Sequence, residues 1–328
     1  MARSTVPPPV TVVQREAGAW LPARMAAVEG RLAELTAGHG PVLAGEAGAT
    51  LSAGGKRLRP LLVLLCAGPG GADAAIRAAT AVELVHMATL VHDDVLDAAG
   101  LRRGRPTVVA RAGRQHAVAT GDLLFSRAFA ELGAQDGSLQ VESLTAASVA
   151  LALGELAQRR DAYDTSITVE RYFERCRLKT GRLFECACVI GRSTGVEEDP
   201  ALPSLASFGR EIGLAFQLLD DVLDVAGPPE RTGKALGTDL LDGTMTLPFI
   251  LAREEDPQLA SLDLRSLDVA GAERVCERIS STAALEEVRR RAAARIAAAK
   301  DELAAASLAD EDRRLLGLVA DGVVQRYA

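Results

Sequence analysis

The stretch IRAATAVELVHMATLVHDDVLD, residues 76–97, is apolar around most of a helical wheel and ends in Asp93, Asp94 and Asp97. A helix that is apolar on nearly every face belongs at the centre of a helical protein, covered on all sides. Carboxylates crowded at the end of such a helix repel one another and resist leaving water. Cations must therefore meet them. Arg102, Arg103 and Arg105 follow at once, in LRRGRPT (101–107).

The pentapeptide DDVLD recurs at 220–224, at the end of a second long apolar stretch, PSLASFGREIGLAFQLLDDVLDVAG (203–227). In a helix Asp93 and Asp97 lie one turn apart on one face, as do Asp220 and Asp224, and Gln217 joins the second pair. Such oxygens suit Mg²⁺, a hard cation that takes carboxylates, waters and phosphate oxygens. One copy is as readily a solvated helix end as a metal site. Two copies, each ending a buried helix, predict two acidic walls facing across a cavity. Mg²⁺ between them would hold a diphosphate.

The other residues agree with a helical protein. The 328 residues are 48% hydrophobic but only 3% aromatic, and strand-like alternation is nearly absent. That composition supplies a large core and favours helices. The expected fold is all-α, a single large helical domain over residues 13–328 with a central cavity. Residues 1–12, with Pro7, Pro8 and Pro9, are expected to form a loose arm. VVARAGRQHAVATGDLLFSRAFAEL (108–132) reads as two helices parted near Gly121, and ERYFERCRLKTGRLFECACVIG (170–191) as a helix closed by Gly191. Near the C-terminus, Leu285, Val288, Ala292, Ile296, Ala299 and Leu303 mark a buried stripe, with Glu286 and Arg290 paired on the polar face.

The net charge of −7 argues against a nucleic-acid binder. Five scattered cysteines lack zinc-ligand spacing and read as buried free thiols of a reducing compartment. Apolar runs such as LLVLLCA (61–67) are too short to span a bilayer, and the N-terminus lacks a continuous apolar core. A soluble cytoplasmic protein without a transmembrane segment is expected.

Basic residues gather where a diphosphate needs them. GGKRLRP (54–60) places Lys56, Arg57 and Arg59 just before a helix. Lys179 and Thr180 interrupt an apolar helix, and Lys234 lies in the Gly-rich ERTGKALGTDLLDGTMTLP (230–248), a candidate lid. Arginine forks match phosphate oxygens, and lysine adds point charge. His86 sits two turns before Asp93 on the same face.

In this order GGKRLRP, ELVHMATLVHDDVLD, LRRGRPT, GDLLF, GELAQ, KTGRLF, FGREIGLAFQLLDDVLD, GKALGTDL and TLP resemble the trans-polyprenyl diphosphate synthases, the polyprenyl synthetase family. The resemblance spans about Gly54 to Pro248. It implies an isoprenoid synthase-like helical bundle, usually a homodimer, that condenses isopentenyl diphosphate with an allylic diphosphate using Mg²⁺, three ions per site. It implies metal binding by Asp93, Asp97 and Asp220, supported by Asp94 and Asp221. Arg102, Lys179, Thr180, Gln217 and Lys234 then look like allylic-diphosphate contacts. Lys56, Arg59, His86 and Arg103 look like the isopentenyl-diphosphate site. Transient membrane contact for product release fits the same picture. The intact second DDVLD and the basic GGKRLRP weigh against the rival readings, a class I terpene cyclase and a non-catalytic partner subunit.

One departure stands out: many relatives carry a lysine where GTMTLP has Thr244. Product length turns on the residues below Asp93. Ala88 and Thr89 are small, and Val85, Val82, Ala81 and Ala78 continue without bulk. One helical turn rises about 5.4 Å, close to one isoprene unit, so a product of about C30 or longer is expected. Phe125 or Phe129 on a neighbouring helix could close that tunnel early, which would give a farnesyl or geranylgeranyl product instead.

Overall fold

The computed structural model describes residues 9–38, 40–52, 57–102, 104–133, 138–194, 198–227 and 236–325. The chain is helical nearly throughout. The helices are α1 (Pro9–Glu16), α2 (Trp20–Ala37), α3 (Gly40–Ser52), α4 (Leu58–Ala67), α5 (Ala72–Leu96), α6 (Val108–Ala112), α7 (Arg114–Gly133), α8 (Ser138–Arg160), α9 (Val169–Cys176), α10 (Arg182–Arg192), α11 (Leu202–Ala226), α12 (Thr238–Leu241), α13 (Leu247–Glu255), α14 (Val269–Ser280), α15 (Ala284–Ala305) and α16 (Asp310–Gln325). A π-helical turn, Arg177–Gly181, joins α9 to α10. Among the described residues the only sheet is a two-stranded antiparallel ribbon, Leu101–Arg102 with Arg105–Pro106.

Helix α5 is the central element, packed against α2, α4, α7 and α10. It is long and apolar enough, by length and composition, to cross a bilayer, which the short apolar runs considered above do not reveal. Two-thirds of its most apolar window is buried inside the fold, so it is a core helix here. It stops because Ala98 takes a left-handed conformation (φ 49°), letting the Ala99 N–H reach the Asp94 carbonyl at 3.0 Å. A glycine usually fills that place. The second apolar helix, α11, packs between α10 and α15. All six stripe positions of α15 from Leu285 to Leu303 are buried, as the periodicity predicts.

Four expectations need correction. Residues 1–8 of the expected arm lie outside the described residues, and the rest of it is helical from Pro9, with Val13 fully buried where α1 packs on α16. The break between α6 and α7 falls at Gly113 (φ 84°), not at Gly121. Gly121 lies inside α7, where a Cβ would sit 2.1 Å from the His92 imidazole; it is there for close helix packing. Gly191 likewise does not end α10 but lets it approach α4, since a Cβ would lie 2.3 Å from the Val63 carbonyl oxygen. The Glu286–Arg290 pair is replaced by i,i+3 pairs, Arg289 with Glu286 and Arg290 with Glu287. The five cysteines are buried and free, as expected.

Candidate active site

The ends of α5 and α11 open on one cavity of about 600 Å³. Helix α5 contributes His86, Thr89, Leu90, Asp93 and Asp97, and α11 contributes Phe216, Gln217, Asp220 and Asp221. Helical rotation sorts each DDVLD copy. Asp93 and Asp97 face the cavity, whereas Asp94, one residue round, turns into the fold and is 4% exposed. Asp220 faces the cavity in the same way, and Asp221 is the buried member, 2% exposed.

On the first wall each aspartate meets a cation. The short ribbon after α5 presents Arg102, whose Nε donates to Asp94 Oδ1 at 2.7 Å. Arg159 on α8 donates to Asp97 and, through Nε at 2.7 Å, to Glu155. Lys179 donates to Glu155 as well and stands 4.0 Å from Asp93. The π turn carries Lys179 toward α8, and Gly154 makes room for it, since a Cβ there would lie 2.8 Å from the Lys179 backbone nitrogen. That close approach explains the glycine of GELAQ. Burial raises the Asp93 pKa to about 6; Lys179 opposes the rise, and Glu155 and Asp97 add to it.

On the second wall the buried Asp221 is held by neutral hydrogen-bond donors. Tyr172 Oη donates to Asp221 Oδ2 at 2.6 Å and Gln217 Nε2 donates to Oδ1 at 2.8 Å. Gln217 Oε1 in turn accepts from Thr180 Oγ1 at 2.8 Å, linking this wall to the π turn. Burial, reinforced by repulsion from Asp239, raises the Asp221 pKa to about 7, against the two hydrogen bonds and Arg175. Asp239 and Asp242, at either end of the Thr238–Leu241 turn, also line the cavity, with Thr244 and Thr246.

Arg59 reaches the cavity from the start of α4, its guanidinium 4.5 Å above the Phe184 ring. Its Nε is buried with no hydrogen-bond partner, and burial lowers its pKa to about 10. A buried donor left unsatisfied at a cavity edge fits an anionic ligand. Arg57, by contrast, does not reach the cavity. Held left-handed (φ 48°), it is clamped by Glu29 and Glu83.

Most of the predicted residues therefore meet in one place: Arg59, His86, Thr89, Asp93, Asp97, Lys179, Thr180, Gln217, Asp220 and Asp221 all line the cavity. Arg102 and Asp94 do not line it but brace its first wall. Ala88 is a correction. It is fully buried in the core together with Val85, Val82, Ala81 and Ala78, so the cavity follows the Thr89 face of α5 toward Phe125 and Leu151. Lys56, Arg103 and Lys234 lie outside the described residues. The sequence reading missed Glu155, Arg159, Tyr172, Asp239 and Asp242. GELAQ carried a signal for Glu155, and the Gly-rich segment carried one for Asp239 and Asp242.

Among the described residues no three His, Cys, Asp or Glu side chains stand close enough to hold a metal alone. Facing walls that offer one or two carboxylates each fit a divalent ion whose shell is completed by phosphate oxygens and water. A bound cation would offset the burial that raises the Asp93 pKa.

The profile of the polyprenyl synthetase family matches residues 41–277. The chain is 38% identical over 268 residues to the heptaprenyl diphosphate synthase component 2 of Geobacillus stearothermophilus, covering 80% of this chain and 83% of that one. It is 36% identical over 254 residues to the octaprenyl diphosphate synthase of Escherichia coli K12, covering 74% and 77%. Its fold matches the polyprenyl synthase of Caulobacter crescentus, solved with calcium and isoprenyl diphosphate, at a TM-score of 0.89 with 33% identity over 96% and 98% of the two chains. The chain belongs to the polyprenyl synthetase family. It is a prenyltransferase of isoprenoid biosynthesis, from a family that binds prenyl diphosphates through a divalent metal.

Proposed function

We propose that this prenyltransferase makes a medium- or long-chain all-trans polyprenyl diphosphate from isopentenyl diphosphate and an allylic primer. The observation that carries the reading is one cavity with an acidic wall at each side and a small residue, Thr89, one turn below Asp93. The similar proteins from G. stearothermophilus and E. coli are named as heptaprenyl and octaprenyl synthases, which supports the long product.

In this reading Asp93, Asp97 and Asp220 would hold Mg²⁺, three ions per site, for the allylic diphosphate. Bound Mg²⁺ supplies the positive charge that lets the diphosphate depart. Lys179, Thr180 and Gln217 orient the diphosphate, with Arg102 behind Asp94 and Lys234 from the Gly-rich segment. Arg59 and His86, with Lys56 and Arg103, hold isopentenyl diphosphate so that its double bond meets the allylic carbon. Leu90, Leu151 and Phe216 keep water from the allylic cation. The proton released at the end passes to the diphosphate.

The enzyme acts as a homodimer in the cytoplasm, where its five thiols stay reduced. Val149, Leu153 and Leu156 on one face of α8 are each more than half exposed, and an apolar stripe of that kind fits a second copy. The name component 2 supports a second reading, in which the chain pairs with a different subunit. The test is to incubate the purified chain alone with farnesyl and isopentenyl diphosphates and Mg²⁺ and to size the products. Diphosphates of about C30 or longer are expected, by turn counting. Products ending at C15 to C20 would favour a short-chain synthase, hydrocarbons a cyclase, and no product a chain that needs its partner.

A further inference from the structure

Arg159 has no part in the reading above, yet it touches one of its metal ligands. Its Nη2 donates to Asp97 across the cavity mouth and its Nη1 to the Leu96 carbonyl at 3.4 Å, while its Nε donates at 2.7 Å to Glu155, one turn back on α8. The pair is only partly exposed, 36% for Arg159 and 25% for Asp97. A divalent ion on Asp97 would compete with the guanidinium for that carboxylate, since the two cations would stand within a few ångströms of each other and repel. Arg159 can yield Asp97 without losing its place, because Glu155 still anchors it.

We infer that Arg159 is a built-in counter-cation for Asp97, and that metal binding at the first wall is an exchange in which the ion displaces its guanidinium. The inference rests on Asp97 being a metal ligand. Its consequence is a weakened affinity for the ion in the free enzyme, which defers loading until a diphosphate adds its own oxygens. Arg159 is thus a positioning residue that sets the metal threshold.

The test is Mn²⁺ binding to the full-length protein without substrate, read by the free-ion electron paramagnetic resonance signal. Arg159→Gln should bind Mn²⁺ about three-fold more tightly than wild type, a fold-change in the range that partly exposed ion pairs reach. Arg159→Lys keeps a charge but not the fork, and should fall between the two. Arg160→Gln controls for simple loss of charge. Arg160 is next in sequence but 69% exposed and paired with Asp161, so its removal should leave Mn²⁺ affinity unchanged. Equal affinity in Arg159→Gln and wild type would overturn the inference, as would equal tightening in Arg160→Gln. Asp97→Asn separates the two layers. If it fails to weaken Mn²⁺ binding, Asp97 is no ligand and the reading beneath is wrong. If it weakens binding while Arg159→Gln does not tighten it, only the exchange fails.

Discussion

The two copies of Asp-Asp-Val-Leu-Asp are identical in sequence but differ in what holds their buried aspartates. The first is met by cations: Arg102 at Asp94, Arg159 at Asp97, and Lys179 at 4.0 Å from Asp93. The second has its buried aspartate held by two neutral donors, Tyr172 and Gln217, with Asp239 close enough to repel it. Burial is the main cause of the raised pKa in both, about 6 at Asp93 and about 7 at Asp221. Shape differs too. One turn inward from Asp93 stands Thr89; one turn inward from Asp220 stands Phe216, its ring 5.7 Å from Phe184. Five identical residues set which aspartate faces the cavity. The elements packed around them set its charge and its width.

The largest effects should come from removing an aspartate from either wall. Asp93→Ala and Asp220→Ala should each lower kcat/KM by at least about 10²–10³-fold, the scale of losing one preorganised electrostatic contact. Excess EDTA should abolish turnover of the wild type. The unfolding midpoint of Asp93→Ala should not fall, because its carboxylate is buried and also crowded by Glu155 and Asp97. Activity within ten-fold of wild type in either variant would mean that only one wall holds metal.

A smaller effect should separate charged from neutral support. Arg102→Gln leaves Asp94 buried without its guanidinium and should cost up to about 3 kcal/mol in chemical unfolding. Tyr172→Phe removes one donor from Asp221 while Gln217 remains, so its cost should lie nearer 1 kcal/mol. Both should reduce kcat/KM by about ten-fold, through displaced rather than missing ligands. Equal stability losses would show that the neutral donors hold their aspartate as firmly as the cation does.

The difference in shape predicts a change of product with little change of rate. Thr89→Phe should place a ring in the cavity below Asp93 and shorten the product to about C15–C20, by turn counting. Phe216→Ala, on the facing wall, should leave product length unaltered. Ala88→Phe tests the packing: Ala88 is fully buried, so this variant should lose about 1–3 kcal/mol of stability from overpacking. Chain-length analysis of the extracted products decides among these outcomes. An unchanged product in Thr89→Phe would move the chain to another face of α5.

What could be read from sequence was what a single helix carries. The wheel of α5 marks it as central, the i,i+4 spacing puts Asp93 and Asp97 together, and the α15 stripe is buried as its period requires. What could not be read depended on partners far along the chain. Arg159 meets Asp97 from 62 positions away, and Tyr172 meets Asp221 across 49. Glycine was ambiguous for a related reason. Gly113 ends a helix, whereas Gly121 and Gly191 allow close packing against neighbours that sequence does not name. Ala88 and Thr89 differ by one step of helical rotation, enough to move a residue from cavity to core.

The smallest expected effect belongs to Thr244, where the sequence departs from the pattern of the family it resembles. Thr244 lines the second wall just past Gly243, a left-handed glycine (φ 71°). That turn is fixed in place: the Tyr163 N–H donates to the Gly243 carbonyl at 2.8 Å, and a Cβ on Gly243 would lie 2.7 Å from the Tyr163 ring. The Thr244 N–H donates to the Asp239 carbonyl at 2.7 Å. A lysine introduced at 244 would therefore start from a rigid point on the acid-rich wall, with Asp239 and Asp242 lining the same space. A charge-assisted contact to phosphate is worth about 1.5–3 kcal/mol when formed, but the new ammonium must first part from those carboxylates. Thr244→Lys should accordingly lower the KM for the allylic diphosphate by less than about ten-fold, leaving the KM for isopentenyl diphosphate and the product length alone. Initial-rate kinetics with each substrate varied in turn provide the check. An unchanged allylic KM would mean that another cation already serves this wall, and the contrast between the two walls would then narrow to their aspartates.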